Sequence, residues 1–190
     1  MSKPKRRSDS KLLREGCRSY LKALEAVRQF RLEAQEAIRA AVDERIDDIA
    51  AAMKLNKTEL DEGLTPYVEP ANLGLGWDGS EASVGLKYPA RDSEARWGIY
   101  FIYWIGDGEE GYACASCWIR EPGPAMQRLA SLGLEKEDSI AWVQKPITAA
   151  DGFNGAIGRA LDAWIEVWRK AGGIQQFLPS QKARQNRAGK

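Results

Sequence analysis

An α+β domain is the fold this sequence predicts: a long N-terminal helix, then a mostly antiparallel four-stranded sheet with helices on its faces, in the order α-α-β-β-β-α-β-α. Three observations lead there. Residues 11–55 keep steps of three or four between apolar positions. Four later segments are short and rich in aromatic and β-branched residues. Glycine, proline or acidic turns bound each of them.

The helical stripe consists of Leu13, Cys17, Tyr20, Leu24, Val27, Phe30, Ala34, Ile38, Val42, Ile46, Ile49 and Met53. No glycine or proline falls between Cys17 and Met53. A helix over that stretch is about 55 Å long, whereas a compact chain of this size is about 42 Å across. The helix must therefore break or overhang the body. An overhang leaves stripe residues uncovered and favours pairing with a second copy or with another helix. The spacing at 17, 20, 24 and 27 provides a short heptad seam, so self-association or a helical partner is expected through residues 17–53.

Asn56-Lys-Thr-Glu59 forms a capping box for a short second helix that stops before Gly63. Pro66 and Pro70 mark an extended linker. Strands are expected at Ala82–Tyr88, Arg96–Ile105, Tyr112–Arg120 and Ser139–Lys145, with Gly106-Asp-Gly-Glu-Glu-Gly111 joining the second and third as a hairpin. Both faces of the second strand are apolar, the pattern of a central strand covered on both sides; the long helix and the last helix are the expected covers. Glu121-Pro-Gly-Pro124 introduces a helix to about Leu132. Thr148-Ala-Ala-Asp151 opens the last one, which carries Ile157, Leu161, Trp164 and Trp168 on one face and ends at Gly172-Gly173. The domain reading is a basic arm (1–11), a helical segment (12–62), a sheet domain packed with it (63–178) and a basic tail (179–190).

Composition narrows the chemistry. The 190 residues include 28 Lys and Arg, 27 Asp and Glu, three Cys and no His. Without an imidazole, Ser-His-Asp and Cys-His relays, His-ligated zinc and facial-triad iron are excluded. Cys114 and Cys117 stand three apart on a strand and so point to opposite faces, which suits neither a shared metal nor a disulfide. An odd, sparse cysteine count fits a reducing, cytoplasmic setting. No apolar run reaches a bilayer-spanning length, and the basic start leads into no signal-peptide core. No cofactor or metal is expected.

The net charge of +1 conceals a division. Residues 1–11 carry +4, residues 169–190 carry +6, residues 12–56 balance, and residues 57–168 carry −9. The arms read either as solvated tails or as polyanion-binding segments that track phosphates, through Lys3, Lys5, Arg6, Arg7, Arg184 and Arg187.

Other motifs have weaker contexts. Gly74-Leu-Gly76-Trp-Asp-Gly79 spells a dinucleotide fingerprint, but between a linker and a strand rather than between strand and helix. Gly152, Gly155 and Gly158 allow close helix packing or a phosphate contact, with Arg159 the local cation. Tyr88, Tyr100, Tyr103, Trp104, Trp118 and Trp142 are read as packing residues rather than as a base-stacking platform, because this half is acidic. Asp43 and Asp47 lie one helical turn apart. Asp92, Glu94, Asp107, Glu109 and Glu110 form an alternative acidic cluster for a Mg²⁺-dependent hydrolase. The order α-β-β-β-α-β over roughly 60–170 resembles the core of the PD-(D/E)xK nucleases. Their signature is missing: the third strand offers no acid-x-Lys, and Lys145 has no acid two residues before it. The leading expectation is a non-enzymatic interaction protein, with an acidic-surface inhibitor of a basic partner and a carboxylate hydrolase as alternatives.

Overall fold

The computed structural model describes residues 7–67, 82–88, 97–105, 111–120 and 123–177. Helices α1 (Arg7–Asp43), α2 (Ile46–Met53) and α3 (Lys57–Gly63) come first. Strands β1 (Thr65–Tyr67), β2 (Ala82–Tyr88), β3 (Trp97–Ile105) and β4 (Gly111–Ile119) follow. Then come α4 (Gly123–Ser131), β5 (Glu135–Glu137), β6 (Ile140–Pro146), α5 (Gly152–Ala171) and a 3-10 turn at Ile174–Phe177.

The long helix both overhangs and breaks. Its break falls at Glu44 and Arg45, where no turn residue announces it. Arg45 leaves helical geometry at φ −118°, ψ 9°, and its guanidinium reaches over Gly158 to Asp162 at 2.9 Å. The bend lets Ile46, Ile49 and Met53 continue into the core alongside α5. Helix α2 then stops on Lys54 in the left-handed region. Asn56 caps α3 as its spacing predicts, accepting from the amides of Thr58 and Glu59 at 2.9 and 3.2 Å.

The sheet is antiparallel throughout, with strand order β1-β2-β3-β4-β6-β5. The four expected strands are its four long ones, each within a residue at either end. Two edge strands of three residues are added. Too short to show a period, they carry no sequence signal of their own. Pro66, expected in a linker, lies in β1, where an edge tolerates a residue that cannot donate to a ladder.

The register sorts the sheet into two faces. On one, Val84, Trp97, Ile99, Phe101, Tyr103, Ala113, Ala115, Cys117, Ile119 and Ala141 join a single core. Helix α5 lays Ile157, Leu161, Trp164 and Trp168 on it, Trp164 and Trp168 meeting edge to face at 5.5 Å. Helix α5 ends as expected on Gly172, at φ 81°. Ala34, Ile38 and Val42 of α1 join from beside it, and Met126 and Leu129 of α4 close one edge.

The second face differs from the two-sided cover that the apolar strand pattern suggests. The described helices all send their buried side chains to the first face. Each carries a single apolar stripe: α1 lays the buried part of its stripe on β2 and against α5, and α2 packs against α5 and α3. Arg169 of α5 pairs with Asp48, and Arg39 of α1 pairs with Asp61 and donates to the Leu64 carbonyl at 2.9 Å. Neither expected cover is left for the other face.

Candidate interaction surfaces

Contacts between elements fix the direction of α1. Phe30 packs on Phe153 at 5.8 Å, and Phe153 meets Tyr103, near the C-terminal end of β3, at 5.0 Å. Further along, Arg45 pairs with Asp162 and Asp48 with Arg169. Helix α5 finishes at the other end of the sheet, where Trp97 and Gln175 line one small cleft. Helices α1 and α5 therefore run together along the strands. Before Phe30, α1 projects past the end of the sheet at which β3 passes to β4.

The projecting part keeps its amphipathic pattern but lacks a cover among the described residues. Leu13 is 69% exposed and Tyr20 56% exposed. Leu12, Leu21 and Cys17 are exposed as well. Residues 11–29 span about 28 Å and hold five basic against two acidic side chains, a net +3.

The second surface is the sheet face that no described helix covers, which carries a trough of about 450 Å³ along β4. Small residues Cys114 and Ser116 form its floor. Tyr100 and Ile102 on β3 make one wall, and Trp142 with Gln144 on β6 the other. Trp118 and Ile140 close the end away from the projecting helix, and Arg120 lies over the Trp118 ring at 5.9 Å. Tyr100 leans on Gly85, where a Cβ would stand 2.5 Å from its ring. Register puts Glu135 beside Trp142 and Glu137 beside Ile140, so the outer rim is acidic.

The sequence-expected sites fare unevenly. Lys3, Lys5, Arg6, Arg184 and Arg187 lie outside the described residues, as do Asp92, Glu94, Asp107, Glu109, Glu110 and the Gly74–Gly79 motif; Arg7 opens α1. Asp43 and Asp47 do not act as a pair, because Arg39 holds Asp43 at 2.7 Å and Lys57 holds Asp47 at 2.6 Å. Arg159 is occupied by Asp151 and by the Pro146 carbonyl at 2.8 Å. Gly158 serves packing, since a Cβ there would stand 3.2 Å from the Arg45 guanidinium. Among the described residues, no cluster of three Cys, Asp or Glu could hold a metal.

Cys114 and Cys117 do face opposite ways, Cys114 into the trough floor and Cys117 into the core. Burial pushes the Cys117 thiol up from 9.0 to about 12, against a smaller opposing effect of a backbone hydrogen bond at Ala141. It is no nucleophile at neutral pH. Burial likewise raises Tyr103, whose hydroxyl donates to the Phe153 carbonyl. Of the aromatic residues read from sequence as packing residues, Tyr103 is in the core, whereas Tyr100, Trp118 and Trp142 line the trough. Strand alternation puts these three on one face, but nothing local says that the face stays open.

Comparison with protein-family models, curated proteins and solved structures finds no match to this chain. No described helix is long and apolar enough to cross a membrane.

Proposed function

We propose that this is a non-enzymatic interaction protein that self-associates through the projecting half of α1. The observation that carries this reading is the stripe Leu13, Cys17, Tyr20, Leu24 and Val27, which continues the line of Ala34 and Ile38 but, unlike them, is not buried. A contiguous apolar stripe that its own body does not cover marks a contact with another chain. Sedimentation velocity across a concentration series tests it. The expected result is a reversible step from 21.1 kDa to twice that mass, abolished by Leu13→Glu with Tyr20→Glu. A wild-type chain that stays monomeric throughout, or a double variant that associates as before, contradicts it.

A second reading rests on the charge division. The arms at 1–11 and 179–190, at +4 each, contact a polyanion such as nucleic acid. Binding of this kind weakens steeply with salt, because neutralising phosphates releases counterions. Deleting residues 1–6 and 178–190 should remove it. Association indifferent to salt, or unchanged by the deletion, contradicts this second reading.

A further inference from the structure

The exposed stripe of α1 and the body of the chain lie on the same side of one continuous helix. Leu13, Tyr20, Leu24 and Val27 continue the line of Ala34 and Ile38, and from Phe30 onward that side is covered by the sheet and α5. We infer that the self-associated state is an antiparallel two-fold pair of α1 helices, in which Tyr20 of each copy fills a socket around Gly16 and Cys17 of the other. The inference rests on the self-association reading and adds to it an orientation and a register.

Orientation follows from where the body stands. A helix that covers the bare stripe must lie on the stripe side, in line with the end of the sheet. Were it parallel to α1, its own continuation toward Asp43 would have to pass through the first copy's sheet and α5. Only the antiparallel direction carries the second body away, to the far end of the pair. The two-fold axis is then perpendicular to both helices, and each copy gives and receives the same surface, so the contact closes on two chains.

The body also sets the register. Helix α1 starts at Arg7, and the body begins to cover it at Phe30. Pairing residues 7–29 of both copies, centred between residues 18 and 19, uses the whole bare length, about 33 Å, and stops each tip where the second body starts. A shift of one heptad deeper drives the tip into that body, and a shift the other way leaves Leu24 and Val27 uncovered. In this register Tyr20 is level with Cys17 of the second copy and enters the hole bounded by its Leu13, Gly16, Cys17 and Tyr20, as a knob does in a coiled coil. Leu13 likewise meets Leu24.

Gly16 is an independent observation. Glycine inside a helix costs about 1 kcal/mol relative to alanine, yet among the described residues nothing outside its own turn lies within 4 Å of where a Cβ would stand. Its own chain gives it no packing reason. A ring arriving from a second copy does, because the small pair Gly16 and Cys17 then receives Tyr20, the largest side chain of the stripe. An in-register parallel pair would set Tyr20 on Tyr20 and Cys17 on Cys17, crowding one layer and underfilling the next. Charge does not oppose the pairing at its seam. Of the five basic side chains in 11–29, Lys11, Arg18 and Lys22 stand about 160° or more around the helix from Tyr20.

Sedimentation velocity on full-length variants tests this, with circular dichroism to confirm that each folds. Gly16→Leu adds apolar surface and a better helix former, so unspecific apolar association would tighten. With the socket closed, the dimer dissociation constant should instead rise roughly tenfold or more; unchanged or tighter association overturns the inference. Complementation reads the register. Leu13→Glu and Leu24→Lys should each weaken self-association, and mixed they should bind each other more tightly than either binds itself, because the new carboxylate meets the new ammonium and the unaltered leucines meet each other. A mixture no tighter than the separate variants overturns the register. If Leu24→Lys does not fold, a distance decides: nitroxides on Gln29→Cys in a Cys17→Ser background, with Cys114 and Cys117 buried, should lie more than about 30 Å apart. A parallel pair would hold them level, within about 25 Å, and that result overturns the inference. A wild-type monomer at every concentration removes the self-association reading as well, whereas a wild-type dimer that fails these tests removes this inference alone.

Discussion

The two halves of α1 have the same sequence pattern and opposite fates. From Phe30 to Asp43 the stripe enters the core, with Ile38 and Val42 wholly buried, and Arg39 and Arg45 tie its flanks to α3 and α5. From Lys11 to Gln29 the same three-and-four spacing leads past the end of the sheet, and Leu12, Leu13, Tyr20 and Leu21 face outward. An amphipathic period specifies that a face will be covered, not by what. Among the described residues, the body covers one half and leaves the other half exposed.

That contrast can be tested, and its largest expression is in thiol chemistry. In dilute solution, where the chain is monomeric, Cys17 on the projecting half should react with a thiol reagent at mixing, whereas Cys117, in the core, should react only as the chain unfolds. Rapid labelling of Cys117 in the folded chain at neutral pH would contradict its burial. The same site gives a pH effect. A thiol raised from 9.0 to about 12 on folding contributes stability that is fully present below pH 9 and is lost as pH rises toward 12, because in that window only the unfolded chain releases the proton. Chemical denaturation at stepped alkaline pH should show that fall, and Cys117→Ala should lessen it.

Next in size is the buried half of the stripe. Ile38→Ala should cost about 2–5 kcal/mol in denaturant unfolding, since it opens a cavity in a closed core. A loss below 1 kcal/mol would mean that this half is less firmly docked than its burial says. Arg45→Ala removes the partly exposed pair with Asp162 at the break and should cost about 1 kcal/mol or less. The smallest effect belongs to Leu13→Ala, expected within about 0.5 kcal/mol in dilute solution, as for a surface position. Its effect should appear in the dimerisation equilibrium instead. A large loss of monomer stability from Leu13→Ala would show that the projecting half is covered by its own chain.

Much of the fold was legible in local patterns. The long strands betray themselves by alternating apolar and aromatic residues, α3 by Asn56, and the end of α5 by Gly172. The break at Arg45 was not legible, because it answers a contact with Gly158 and Asp162 more than a hundred residues away. Strands β1 and β5 were hidden by their length, three residues each. The trough was half legible: alternation sets Tyr100, Ile102, Trp118 and Trp142 on one side of the sheet, but the same residues would serve equally as a second core.

By itself the sequence determined which side chains share a face, where most elements begin and end, which chemistries a chain without histidine excludes, and that +1 divides into two basic arms and an acidic sheet half. Those are consequences of short-range geometry and of counting. Only the tertiary structure decided that α1, α2 and α5 crowd onto one face of the sheet, leaving, among the described residues, a trough on the other and an exposed stripe beyond the end. The reason is physical: a helix with one apolar stripe can be buried on one side only, and which surface it meets depends on packing between residues far apart in the chain.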